Sequence, residues 1–317
     1  MTKRIARGPA MIGIEALALG ERDRARLLHP SVGGVILFSR NYERGEQLRA
    51  LTASIRELRT PPLVIGVDHE GGRVQRFRDD FTAIAPMREL GLAFDRDRDQ
   101  SLRDAELLGR TIAMELRAHG VDFSFTPVLD LDYGRSAVIG NRALHCEAEV
   151  VTALAGALVR GLASGGAPAV GKHFPGHGFV EADSHHALPI DPRTLEELAD
   201  DLKPFAALAK GELAAVMPAH IVYPAVDPAP AGYSTRWIGD ILRGRLGFEG
   251  LVFSDDLEMA GAQGAGDIVA RADAALAAGC DVVLVCSDFG AMDALLARWR
   301  PRANADLGRR WARMAGS

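Results

Sequence analysis

Four of the nine histidines fall between positions 173 and 186, inside the stretch GKHFPGHGFVEADSHHALP (171–189). Such density first suggests a metal site, because His173 and His177 are four apart, as in a helical HExxH pair. Pro175 and Gly176 lie between them and keep that segment from being a helix, so the two imidazoles do not share a helix face. Acid–base chemistry is the stronger reading. Asp183, Ser184 and His185 stand in a row, and an acid beside an imidazole can orient the ring and raise its pKa, giving a proton donor suited to neutral pH. His177 and His186 are read as loop-packing or capping residues.

Three other segments carry polar residues in suggestive order. In VDHEGGRVQRF (67–77), Asp68 ends an apolar run, Gly71 and Gly72 permit a tight turn beneath a ligand, and Arg73 and Arg76 come next at the spacing of one helical turn. An Asp that accepts two hydroxyls, with an Arg nearby, is an ordinary way to hold a polyol. In LVFSDDLEMAGA (251–262), side chains alternate along a strand, so Asp255 and Asp256 should point to opposite sides. Spacing cannot choose which is the reactive carboxylate, and the other is free to cap a helix beginning near Leu257. LDLDYGRSAVIGNRALH (129–145) adds Asp130, Asp132, Arg135 and Arg142.

These residues need a scaffold that brings distant segments together. Short apolar or β-branched runs occur at 10–16, 33–39, 63–68, 122–130, 168–174, 214–220, 250–256 and 280–286, with amphipathic stretches between them, such as 43–58, 149–166 and 267–278. Gly166, Gly247 and Gly279 sit where helices should stop. Strand and helix in alternation predict a parallel sheet, and eight strands without a linker-like segment predict one α/β domain over 1–317, a (β/α)8 TIM-type barrel. A doubly wound open sheet is the competing architecture, but it would want a Gly-rich phosphate loop after its first strand. Asp68, Asp130, Lys172, His173, His220 and Asp255 all fall at C-terminal strand ends, which in a parallel barrel converge on the face where active sites lie. Buried charges are costly unless paired or used, so packing alone accounts poorly for six of them at one edge. The first strand carries no HxH pair of the kind metal-dependent barrel hydrolases tend to use, and no metal or other cofactor is expected.

Composition narrows the class. The chain of 317 residues is 48% hydrophobic and 25% charged with a net charge of −5, which offers no basic field for nucleic acid. The basic tail around Arg302, Arg309 and Arg310 is read as a solvated final helix. Three cysteines without CxxC spacing fit a reducing compartment. The apolar run near the start is short and interrupted by Glu15, so it is read as a first strand rather than a signal peptide. No stretch approaches the roughly 20 apolar residues of a membrane span. The expectation is a cytoplasmic protein acting on a small molecule, monomeric because no exposed apolar helix stands out.

The ordered set VDHEGGRVQRF, GRSAVIGNRALH, KHFPGHG with a downstream DSH, MPAH and FSDDLEM resembles glycoside hydrolase family 3. The likeness spans nearly the whole chain and is narrowest to the single-domain β-N-acetylglucosaminidase branch of cell-wall recycling. It implies a retaining exo-hydrolase that removes N-acetylglucosamine from peptidoglycan fragments, namely GlcNAc-β-1,4-anhydro-N-acetylmuramic acid with or without peptide. It also implies roles: Asp255 as nucleophile, His185 as general acid/base, Asp183 orienting His185, and Asp68, Arg76, Arg142, Lys172 and His173 holding the sugar. Two departures are visible, His69 where Gln is common and Asn141 where an acid is common. A phosphorylase using the same Asp/His machinery, a metal-dependent hydrolase and a non-catalytic sugar-binding barrel are the alternatives.

Overall fold

The computed structural model describes residues 3–181, 188–302 and 304–315. Each expected apolar run contributes one parallel strand: β1 (Ala10–Ile12), β2 (Val32–Leu37), β3 (Val64–Val67), β4 (Phe123–Ser124), β5 (Val170–Phe174), β6 (Ala215–Pro218), β7 (Leu251–Asp256) and β8 (Val282–Val285). They pair in the spatial order β4-β3-β2-β1-β8-β7-β6-β5, so chain neighbours are sheet neighbours. Between β4 and β5 the ring is closed by Val128 lying parallel beside Lys172. There the Leu129 N–H donates to the Lys172 carbonyl at 2.7 Å, and the Val170 N–H to the Thr126 carbonyl at 2.8 Å. The sheet is therefore a barrel and not an open doubly wound sheet. β4 is shorter than the 122–130 run suggests, partly because Pro127 has no N–H to give to a ladder.

Alternation along each strand builds two cores. Met11, Ile36, Val64, Phe123, Phe253, Val282 and Leu284 fill the barrel interior, while Ile12, Val35, Ile65, Val252 and Val283 face the helices. Those helices are α1 (Glu21–Leu27), α2 (Gly45–Arg56), α3 (Arg88–Phe94), α4 (Arg98–Ala118), α5 (Ala148–Ser164), α6 (Ala199–Leu208), a π-helical segment Arg236–Arg245, α7 (Ile268–Ala278) and α8 (Phe289–Arg298). Asp97, Asp267 and Asp288 begin α4, α7 and α8 by accepting backbone N–H groups. The three glycines expected to stop helices all have positive φ.

The basic tail departs from expectation. It forms α9 (Leu307–Met314), but Leu307, Trp311 and Met314 are buried in the interior core rather than solvated. Trp311 donates to the Gly8 carbonyl at 3.0 Å and packs edge-on against Phe253, so α9 plugs the end of the barrel opposite the strand C-termini. Arg310 is tied to buried Asp281, which also accepts from Arg243, Asn304 and the Val252 N–H.

Candidate active site

At the C-terminal end of the strands lies a cavity of about 420 Å³, lined by Asp68, Arg76, Arg142, Lys172, His173 and Asp255. These are the six predicted site residues that fall among the described ones. Asp183 and His185, the remaining two, lie outside the described residues, as does His186.

Asp68 follows β3, and the chain then turns into a small antiparallel hairpin, His69–Gly71 against Val74–Gln75. The spacing of Arg73 and Arg76 suggests a helical turn. The hairpin forms instead because Gly71 and Gly72 take φ of 102° and 52°, which other residues rarely adopt. Asp68 and Arg76 approach to 3.8 Å, and Lys172 donates to Asp68 at 2.7 Å. Arg73 reaches across to the carbonyls of Ala137 and Val138, tying the hairpin to the loop that carries Arg142.

Behind Asp68 stands Glu70, which sequence reasoning passes over. Its carboxylate takes two parallel bonds from Arg142, both 2.8 Å, and lies 2.5 Å from the Lys172 ammonium. All three side chains are largely or fully buried. Burial would push the Glu70 carboxyl up, but Arg142 and Lys172 outweigh it and hold it well below the usual carboxylate range. Burial likewise opposes the charges of Arg142 and Lys172, and their acidic partners win, raising both. A signal was present: in extended chain, positions 68 and 70 share one side. Asn141, the departure beside Arg142, is exposed, and Arg142 is held by Glu70 and the Val138 carbonyl.

On the far side of the cavity, β5 delivers Lys172 and His173 through a cis peptide, and both reach the site. The His173 ring donates from Nδ1 to Asp130 at 2.7 Å. Asp130 also accepts the backbone N–H groups of His173 at 3.2 Å and His177 at 2.7 Å. Fully buried, Asp130 lies behind the cavity wall as an orienting group. Burial raises its carboxyl, but His173, together with His177, outweighs this and the net direction is down. His177 is more than a loop-packing residue: it is buried, lines the cavity, and its ring centroid lies 5.8 Å from that of His173. Burial, then His173, lowers it to about 4, so it is neutral at physiological pH. His69, the other departure, is buried beside Phe77 and Phe81.

The paired acids on β7 also correct an expectation. Asp255 and Asp256 do not face opposite sides; both line the cavity. The register with β8 shifts between Phe253 and Asp256, and that irregularity breaks the alternation. The Asp256 N–H donates to Asp255 Oδ1 at 2.8 Å, while Asp256 accepts from the Glu258 N–H at 3.1 Å. Burial, followed by the negative charge of Glu258, pushes the Asp256 carboxyl up. His220 also acts from behind, donating to the Asp256 carbonyl at 3.2 Å. The cavity floor is apolar, with Phe125, Met217 and Leu284 beneath the polar ring.

A barrel mouth with adjoining carboxylates, a buried carboxylate–cation cluster that can grip hydroxyls, and an apolar floor suits cleavage of a sugar linkage, the work of a glycoside hydrolase. The model of the glycosyl hydrolase family 3 N terminal domain matches residues 10–298. The chain belongs to that family, within its β-hexosaminidase group. It is 61% identical to a β-hexosaminidase of Chromobacterium violaceum over 313 residues, covering 98% of this chain and 88% of the relative. It is 59% identical to one from Bordetella parapertussis over 293 residues, covering 92% and 83%. The crystal structure of NagZ from Neisseria gonorrhoeae in complex with N-trifluoroacetyl-D-glucosamine superposes with a TM-score of 0.95 at 52% identity, covering all of this chain and 92% of that one. Among the described residues, no helix is long and apolar enough to cross a membrane.

Proposed function

We propose that the chain is a retaining exo-β-N-acetylglucosaminidase of peptidoglycan recycling, a single catalytic domain acting as a cytoplasmic monomer. Its substrate is GlcNAc-β-1,4-anhydro-N-acetylmuramic acid, with or without peptide. The observation that carries this reading is the convergence of Asp68, Arg76, Arg142, Lys172, His173 and Asp255 on one cavity. The related gonococcal protein, whose structure contains an N-acylated glucosamine, supports the choice of sugar.

In this reading Asp68, Arg76, Arg142, Lys172 and His173 hold the terminal sugar over the apolar floor. Asp255 attacks the anomeric carbon while His185, oriented by Asp183, protonates the departing oxygen. Water activated by the same histidine then releases the sugar with retained configuration. A histidine has an unperturbed pKa of about 6.5 and so serves as acid and base near neutrality with less tuning than a glutamate needs. Burial, followed by the charge of Glu258, makes Asp256 keep its proton more tightly than an ordinary carboxyl, which suits it poorly to attack as a carboxylate.

The test is hydrolysis of an aryl N-acetyl-β-glucosaminide by wild type, Asp255→Ala and His185→Ala, with and without phosphate. Free sugar released first as the β-anomer, near-zero turnover in Asp255→Ala and a loss of about 10²–10⁴-fold in His185→Ala are expected. Sugar 1-phosphate as product would make the enzyme a phosphorylase, and full activity in Asp255→Ala would overturn the mechanism.

A further inference from the structure

We propose that Glu70 is a positioning and charge-setting residue for the sugar site: it fixes the orientation of Arg142 and Lys172 and cancels the charge that would otherwise build up beneath the substrate. The inference rests on the reading of Arg142 and Lys172 as sugar-holding groups. It is carried by geometry. Glu70 engages Nε and Nη2 of Arg142 at 2.8 Å each, the fork arrangement that locks a guanidinium in one plane. The Val138 carbonyl takes Nη1 at 3.2 Å, so Arg142 is held on three nitrogens.

Lys172 has three N–H groups, and among the described residues Asp68 at 2.7 Å and Glu70 at 2.5 Å are positioned to take two. Glu70 thereby determines which donors of the two cations are left for a ligand. Glu70 also sets its negative charge against Arg142 and Lys172, while Asp68 faces Lys172 and Arg76. Lys172 is faced by Asp68 at the end of β3, by Glu70 in the hairpin and by Arg142 from the 135–145 loop, over the Phe125 ring. Burial alone would lower Lys172, and the two acids reverse that. With Glu70 neutral, Lys172 would lose one of the two acids that oppose burial and Arg142.

The experiment compares wild type, Glu70→Gln and Glu70→Asp in the intact chain, measuring kcat, KM and the pH profile of each on the aryl glycoside. Asp255 and His185 are untouched in both variants. Glu70→Gln should raise KM roughly ten- to a hundred-fold, the scale of a lost charge-assisted contact, with a smaller change in kcat. It should also make KM climb at alkaline pH beyond any climb in wild type, as Lys172 loses its proton more easily. Glu70→Asp keeps the charge but is too short to reach both cations, so it should raise KM without that added climb at alkaline pH. Should Glu70→Gln fail to fold, KM in folded Glu70→Asp decides the matter. A folded variant with KM and pH profile within twofold of wild type overturns the inference. Lack of glycosidase activity in wild type would instead remove the functional reading on which it rests.

Discussion

Asp130→Asn probes how the fold aims His173. The wild-type carboxylate is fully buried and accepts three bonds: from the His173 ring at 2.7 Å, and from the backbone N–H groups of His173 at 3.2 Å and His177 at 2.7 Å. Hydrogen bonds to a charged partner are worth about 1.5–3 kcal/mol each, and breaking a buried charged network typically costs about 3–5 kcal/mol. In Asp130→Asn the amide oxygen still accepts from the two backbone N–H groups, but its NH2 would face the ring N–H of His173. About 1.5–3 kcal/mol should be lost, with the ring turned or its tautomer switched. Asp130→Ala strands all three donors and should cost about 4 kcal/mol. Because the folded carboxyl sits below its ordinary value of about 3.9, its stabilisation is present above that pH and disappears as pH falls through the folded value. The gap between wild type and Asp130→Asn should therefore narrow in acid. Urea unfolding at pH 7 and near pH 3, with KM for the aryl glycoside at pH 7, reads all of this. Equal losses for Asn and Ala, or an Asn variant matching wild type in both stability and KM, would refute the orienting role.

Two further outcomes are expected. Asp256 binds its proton more tightly folded than unfolded, so its contribution to stability is present below about pH 4 and is lost as pH rises through the folded value. Asp256→Asn should lose less stability than wild type between pH 5 and pH 9, seen as a flatter trend of urea midpoints; parallel trends would contradict the assignment. Of the three cysteines, Cys146 is exposed, whereas Cys280 and Cys286 are buried and burial pushes both thiols up. A chromogenic disulfide at neutral pH should titrate one thiol in the native protein and three in urea. Rapid reaction of a second thiol without urea would contradict the burial of Cys280 and Cys286.

The barrel was readable because its strands are apolar runs whose length and order survive in one dimension, and each one found a place in the sheet. Side-chain direction was less readable wherever regular pairing breaks. Alternation sets Asp255 and Asp256 on opposite sides, yet the register shift on β7 turns both toward the cavity. The arginines at 73 and 76 match a helical spacing that the two positive-φ glycines before them preclude. Trp311 lies in a tail whose arginines suggest solvent, because a helix eight residues long can present cations on one side and seal a barrel with the other.

Glu70 marks a different kind of gap, since its partner Arg142 is 72 residues away and no local pattern joins them. Charge balance could have joined them. Lys172 was expected at the strand-end face and the family resemblance put Arg142 at the same sugar site, and two cations drawn out of water require acids beside them. Asp68 supplies one acid. The second has to come from an element reaching the same face, and Glu70 lies two residues on in an extended turn, on the side Asp68 occupies. Pairing each expected buried cation with a carboxylate thus turns a set of proposed ligand-binding residues into a statement about the groups that must support them.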